Sequence, residues 1–388
     1  MDKYRDIRPY RDEEVRDVLD GVLNNDELLT AIAKLKFPKA EQKLGWLIKP
    51  LVRWRLNSQL KSVNDVDSFQ LVVKKYMEHM VKSTTTDFTI SGLDKLDPNK
   101  RYCLLSNHRD IALDPAFVSY ALWQEDSPTA RIAIGDNLLT KEYVSALMRL
   151  NKSFIVNRSE KAPRKMLAAF KQLSEYIRYS ITEEDSNVWI AHREGRAKNG
   201  WDATEPAIIK MLTISQNRKT QTFSDAVNEL NIVPVSISYE LDPLDAAKAN
   251  ELYTLDEEGA YQKAEQEDIN SIAQGIAGQK GHVHVAFGEV VSGEYSGPEL
   301  VAEEIDRQIV NNYVLHESNA IAYKLLHGHP PALNFGSATV PFSAEDMAAK
   351  ESSFTARIKA MPEQHQEYAL KMYSYCLERQ IKKGADHV

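Results

Sequence analysis

The residues best placed to do chemistry are a histidine and the two carboxylates that follow it. In Ser106-Asn107-His108-Arg109-Asp110-Ile111-Ala112-Leu113-Asp114-Pro115, the histidine comes directly after a short apolar run, Tyr102-Cys103-Leu104-Leu105. A carboxylate accepting from one imidazole nitrogen fixes the tautomer and leaves the other nitrogen free to take a proton from a hydroxyl. This is the base and orienter of a triad, with a substrate supplying the nucleophile. Asp110 and Asp114 are both close enough to be the partner. Taken alone, the pair reads first as a loop histidine beside a helix-capping aspartate. A second stretch adds to it. In His192-Arg193-Glu194-Gly195-Arg196-Ala197-Lys198-Asn199-Gly200, three cations surround one glutamate and two glycines, again just after an apolar run, Val188-Trp189-Ile190-Ala191. Arginine forks match phosphate oxygens, and glycine lets backbone N–H groups approach an anion. A single further cation, Arg158, ends the run Ser153 to Asn157.

These residues need elements that hold them. Residues 1–85 read as a helical region. From Phe88 onward, strands and helices alternate. Strands are predicted at 88–91, 102–105, 130–134, 153–156, 187–191, 232–239 and 282–287, and helices at 114–123, 141–150, 163–178 and 205–214. Residues 255–275 and those after Pro298 return to helical periodicity. Such alternation predicts an α/β fold, a mixed and largely βαβ sheet covered by helices. The expected organisation is a helical region at 1–85, an α/β domain at 86–293 and a helical region at 294–388. Strand C-terminal ends are where α/β sheets hold their ligands, and His108 and His192 both follow predicted strands.

In this order and spacing the pieces resemble the glycerolipid acyltransferase family over roughly residues 86–293. The family's first motif is Asn-His, four residues, then Asp; here it is Asn107-His108 with Asp114-Pro115, one residue longer. The second, Phe-Ile-Asp-Arg, corresponds to Ile155-Val156-Asn157-Arg158. The third, Phe-Pro-Glu-Gly-Thr-Arg, corresponds to His192-Arg193-Glu194-Gly195-Arg196, without the threonine. The fourth is the strand Val233-Pro234-Val235. The resemblance implies a general base His108 oriented by Asp114, with Asp110 as the alternative partner. It implies an acceptor pocket shaped by Arg158, Glu194, Gly195 and Arg196, with Lys198 as an alternative to Arg196. The reaction implied is transfer of a fatty acyl group from acyl-CoA or acyl carrier protein to the hydroxyl of a phosphate-bearing glycerolipid, lysophosphatidate being favoured. No cofactor and no metal are implied. A catalytically inactive adaptor that binds lipid or acyl carrier protein is the main alternative. A metal-dependent hydrolase using His108, Asp110 and Asp114 is a third reading.

Composition bounds the rest. The chain has 388 residues, 43% apolar and 27% charged, which excludes wholesale disorder and a polytopic membrane protein. No apolar run approaches the ~20 residues of a spanning helix. The start of the sequence lacks an apolar signal region, and two cysteines build no disulfide framework, so a cytoplasmic location is expected. The net charge is −8, yet Lys34–Lys61 carries eight basic residues and one acidic one, leaving the remainder at −15. Trp46, Trp54 and a periodic Leu44, Leu47, Ile48, Leu51 and Val52 accompany those charges. Basic residues with tryptophan on an apolar-faced helix fit an anionic membrane surface, peripherally bound, better than nucleic acid. The plainer reading is a packed helix with a solvated basic face. Pro50 is expected to end or kink it. His282 and His284, and likewise His327 and His329, could each be half a metal site, though no third ligand is apparent.

Overall fold

The structure, a computed structural model, describes residues 2–264, 266–331 and 344–385. The side chains of residues 35, 36, 38–44, 344–347 and 383–385 are outside that description. Lys36, Lys39, Lys43 and Leu44 of the basic stretch therefore lie outside it in their side chains.

Four helices open the chain: α1 (Asp12–Leu23), α2 (Asp26–Lys36), α3 (Pro38–Leu60) and α4 (Val66–Thr84). Strands and helices then alternate. They run β1 (Thr85–Ser91), β2 (Cys103–Ser106), α5 (Leu113–Gln124), β3 (Arg131–Gly135), α6 (Glu142–Leu150), β4 (Ser153–Val156), α7 (Pro163–Thr182) and β5 (Val188–Ala191). After these come α8 (Pro206–Thr213), α9 (Phe223–Asn228), β6 (Ile232–Tyr239), α10 (Asp245–Glu258), α11 (Glu267–Ala277) and β7 (Gly281–Phe287). The last helices are α12 (Pro298–Asn312), α13 (Glu317–His327), α14 (Ala344–Lys359) and α15 (Glu363–Ala385). The expected α/β class holds, with a mixed, mostly parallel set of strands covered by helices.

The chain forms two compact units that do not follow chain order. One is Met1–Glu78 with Arg131–Tyr176; the other is His79–Ala130 with Ile177–Val388. In the larger unit the strand order is β1-β7-β6-β2-β5. β2 lies between β5 and β6, parallel to both, while β6 and β7 are antiparallel and β7 and β1 parallel. Every residue of β2 and β6 is buried, as expected of central strands covered on both faces. Pro234 is tolerated inside β6 because the β7 pairing begins only at Val235.

In the smaller unit β3 and β4 run parallel. Val15, Leu19, Leu23, Val63, Phe69 and Leu150 form its core. Asn25 caps α2 by accepting the Leu28 N–H at 3.0 Å. α3 packs Val52, Ile48 and Leu56 on Leu29 and Ala33. Its other side is bare: Trp46 is 71% exposed, Leu47 50%, Leu51 56% and Trp54 65%.

Two sequence expectations need correction. Pro50 does not end α3, which continues to Leu60. Pro50 lies on the exposed side with Trp46, so the carbonyl it leaves unserved one turn back can be solvated. The helical stretch expected at 255–275 is two helices, the first starting already at Asp245 and ending at Gly259 in the left-handed region (φ 72°). α9 has only six residues, too few for periodicity to show, although its Thr222–Asp225 capping box marks the start.

Candidate active site

Two adjacent parallel strands deliver the site. β2 ends at Ser106 and β5 at Ala191, and the His192 N–H donates to the Ser106 carbonyl at 2.8 Å. Asn107 fastens the next turn to β6: its amide donates to the Ile237 carbonyl at 3.0 Å and its carbonyl accepts the Ile237 N–H at 2.8 Å. Ser106 Oγ accepts from Trp189 Nε1 at 3.0 Å. The chain is thereby fixed on both sides of the point where His108 leaves the sheet.

His108 Nδ1 lies 2.9 Å from Asp114 Oδ2. The same oxygen accepts the backbone N–H groups of Arg109 at 2.6 Å and Asp110 at 2.9 Å, and Oδ1 accepts from Tyr239 Oη at 2.7 Å. Asp114 is wholly buried, and four donors satisfy it. A carboxylate facing Nδ1 requires the proton there, which leaves the Nε2 lone pair open. Among the described residues Nε2 has no hydrogen-bond partner, and the His108 side chain keeps 15% of its surface in solvent. The Trp189 ring stands edge-on to the imidazole at 6.0 Å between centroids. An imidazole so held can take a proton from a hydroxyl placed at Nε2.

Of the two candidate carboxylates, Asp114 is thus the one on His108. Asp110 instead starts α5, its Oδ1 accepting the Ala112 and Leu113 N–H groups at 2.9 Å each. Among the described residues its Oδ2 is buried without a hydrogen bond, pressed by Gly275 of α11, where a Cβ would collide with it. Burial, and secondly the Asp114 charge, push the Asp110 carboxyl above its ordinary range.

The glycine turn lies against the same loop. The Ala197 N–H donates to the His108 carbonyl at 2.9 Å, so Glu194, Gly195 and Arg196 immediately precede a residue bound to the histidine's own backbone. Gly195 has φ 73°, the left-handed region that favours glycine. Arg196 is half-buried and has no ion pair or hydrogen bond among the described residues. Lys198, the alternative cation, is paired with Glu251 of α10. Arg158 belongs to the other unit. There its N–H donates to Asp136 Oδ1 at 3.0 Å, and its neighbours Asn157 and Ser159 line an open cavity of about 580 Å³ with Glu160, Lys165 and Gln172.

Sequence reasoning missed Tyr239 and Asp202. Tyr239 ends the apolar run of β6 and offered only its polar tip as a signal. Asp202 accepts the His108 N–H at 2.9 Å from 94 residues away, and nothing in its spacing announces that. The other histidine pairs are engaged with protein groups. His282 Nε2 and His284 Nδ1 are each 2.6 Å from Thr89 Oγ1, and His284 Nε2 is 2.9 Å from Ser91 Oγ. His327 Nε2 is 3.1 Å from Glu378. Among the described residues no three histidine, cysteine or carboxylate side chains converge as a metal site requires, and no helix is long and apolar enough to cross a membrane.

Comparison with known proteins finds one family model over part of the chain. The Acyltransferase family model matches residues 87–238, the stretch from β1 into β6 that carries His108, Asp114 and the glycine turn. Among solved structures the chain is similar to the 1-acyl-sn-glycerophosphate acyltransferase of Thermotoga maritima, at 13% identity and a TM-score of 0.37, covering 73% of this chain and 94% of that one. No curated protein matches the sequence.

Proposed function

We propose that this chain, whose residues 87–238 match the Acyltransferase family model, moves a fatty acyl group from a thioester donor to the hydroxyl of a phosphate-bearing glycerolipid acceptor. Lysophosphatidate is the acceptor we favour, with acyl-CoA or acyl carrier protein as donor. The observation that carries the reading is the His108–Asp114 pair with Nε2 open, beside an arginine that has no partner among the described residues.

The reaction follows from those groups. Nε2 takes the proton of the acceptor hydroxyl as its oxygen attacks the thioester carbonyl. The tetrahedral adduct expels the thiolate, which recovers the proton from His108. Asp114 stabilises the transient imidazolium. The step needs no acyl-enzyme, since the substrate supplies the nucleophile. Proton transfer of this kind contributes ~10²–10⁴-fold, and positioning of the two substrates supplies much of the remainder.

Arg196 is proposed to hold the acceptor's phosphate, with Glu194 and Gly195 shaping the turn around it. A charge-assisted hydrogen bond contributes about 1.5–3 kcal/mol, so Arg196→Ala is expected to raise the acceptor KM about 10–100-fold. The donor KM should stay near the wild-type value. Steady-state kinetics with each substrate varied in turn checks this, and an unchanged acceptor KM would remove Arg196 from the pocket.

The bare side of α3 supports an anionic membrane surface as the place where this acceptor is met. Its Trp46, Leu47, Leu51 and Trp54 are exposed together, and Arg53 and Arg55 stand exposed among them. Lys49 is paired with Asp26 at 2.8 Å. Basic residues near an anionic bilayer contribute about 1 kcal/mol each, and tryptophan suits the interface. Trp46→Ser with Trp54→Ser is expected to weaken sedimentation with anionic lipid vesicles at least about tenfold, while leaving turnover of a short-chain, water-soluble acceptor unchanged. Equal vesicle binding by wild type and variant would discard this surface.

A further inference from the structure

A second buried histidine–aspartate pair stands behind the first. His192 is fully buried at the end of β5, and Asp202 is 2% exposed. Asp202 Oδ2 accepts the His108 N–H at 2.9 Å, and Asp202 Oδ1 lies 2.6 Å from His192 Nε2. On the ring's other side, His192 Nδ1 is 3.0 Å from Thr204 Oγ1, which is 2.6 Å from Asp306 Oδ1. Asp306 accepts the Thr204 N–H at 2.7 Å as well, and pairs with Arg379 of α15 at 3.3 Å.

Counting protons assigns the ring. A hydroxyl has one proton, and an ionised carboxylate can only accept. Thr204 gives its proton to Asp306, so toward His192 it can only accept, and Nδ1 must donate. Nε2 faces the Asp202 carboxylate, so it must donate too. His192 then carries both protons and is a buried cation between two carboxylates. Burial alone would push the Asp202 carboxyl up, yet His192, with Arg109 and the His108 N–H behind it, holds it down to about 2. His192 occupies the place where the resembling motif has phenylalanine, which could donate nothing.

We propose that His192 and Asp202 are positioning residues for the acyl-transfer base: the doubly protonated His192 keeps Asp202 ionised and aimed at the His108 backbone amide, while Asp114 aims the ring. The inference rests on the reading of His108 as that base. It also gives α15 a task. Arg379 binds the Asp202 carbonyl as well as Asp306, Arg109 reaches Cys376 Sγ at 2.6 Å, and Gly200 (φ 77°) packs so closely on the Met372 carbonyl that a Cβ would collide. The helix near the end of the chain thus holds the loop whose one end is the catalytic turn.

Two measurements on the full-length protein test this. The first is kinetic. Asp202→Leu leaves both the His108 amide and His192 without their acceptor, and it is expected to lower kcat about 10–100-fold with the donor KM within about twofold. Asp202→Asn keeps both contacts: its carbonyl accepts the His108 N–H, and its amide donates to Nε2 of a His192 protonated on Nδ1 alone. This variant is expected to stay within about threefold of wild type in kcat. Unchanged kcat in Asp202→Leu, or a kcat in Asp202→Asn no better than in Asp202→Leu, overturns the proposal. The second measurement is independent of activity. Nitrogen-15 spectra of wild type, with His192→Gln for assignment, should show two imidazole N–H protons on His192 at neutral pH. A single proton on that ring overturns the proposal even where transfer activity is normal. A doubly protonated ring in a protein without transfer activity would instead overturn the assignment of His108 as base and leave the network standing.

Discussion

His108→Ala is expected to lower kcat for acyl transfer about 10²–10⁴-fold, with little change in the KM of either substrate. The size follows from what the ring does. Without a base, the acceptor hydroxyl must lose its proton to water during attack, and the departing thiolate must regain one the same way. The KM should hold because His108 is anchored through its backbone, by Asp202 on its N–H and by the Ala197 N–H on its carbonyl, and an alanine keeps both bonds. The loop is therefore expected to stay in place, and stability to change little. Initial rates with saturating donor and acceptor, beside a thermal melt of each protein, check both halves. A fall in KM-normalised rate that came entirely from acceptor KM would mean that the imidazole binds rather than reacts.

Asp114→Asn is the second large effect, expected at about 10²–10³-fold in kcat. The asparagine can keep its carbonyl where Oδ2 now sits, accepting from His108 Nδ1, Arg109 N and Asp110 N, while its amide donates to Tyr239 Oη. Each of those contacts is 2.6–2.9 Å in the native protein. The tautomer is preserved, and only the negative charge is lost. A unit charge about 4 Å from the developing imidazolium, at an effective dielectric of about 20, stabilises it by about 4 kcal/mol, which sets the upper figure. Asp110→Asn, by contrast, should cost little in rate, because Asp110 caps α5 and does not touch the ring. Comparison of the two variants at equal folded concentration checks the assignment. A larger loss from Asp110→Asn would reverse the partners.

Much of this site could be read before the fold was known. β2 is a short apolar run bounded by turn residues, so its burial on both faces showed directly in the sequence. Asn107-His108 and the glycine turn announced themselves because reactive and cationic side chains follow two such runs. The contacts that complete the site were not legible. Asp202 sits in a polar stretch and meets His108 across 94 residues, and Tyr239 meets Asp114 across 125. Such pairings arise from strand order, and that order, β1-β7-β6-β2-β5, is non-consecutive and carries no local signature. The resemblance named Asp114 over Asp110 as the partner, and Asp114 is the carboxylate that faces His108 Nδ1. Arg379 gave no sign of its task, because a lone arginine on a long amphipathic helix looks like any solvated cation.

The most direct test of the account is thiol release from a long-chain acyl thioester, measured with wild type in the presence and absence of lysophosphatidate. The donor is supplied first as acyl-CoA and then as acyl carrier protein. Acceptor-dependent thiol release with stoichiometric appearance of diacylated product is the result expected, and it should vanish in His108→Ala. Release that ignores the acceptor would mean hydrolysis rather than transfer. No release from either donor would contradict the account and favour a protein of this fold that binds lipid or acyl carrier without turning it over.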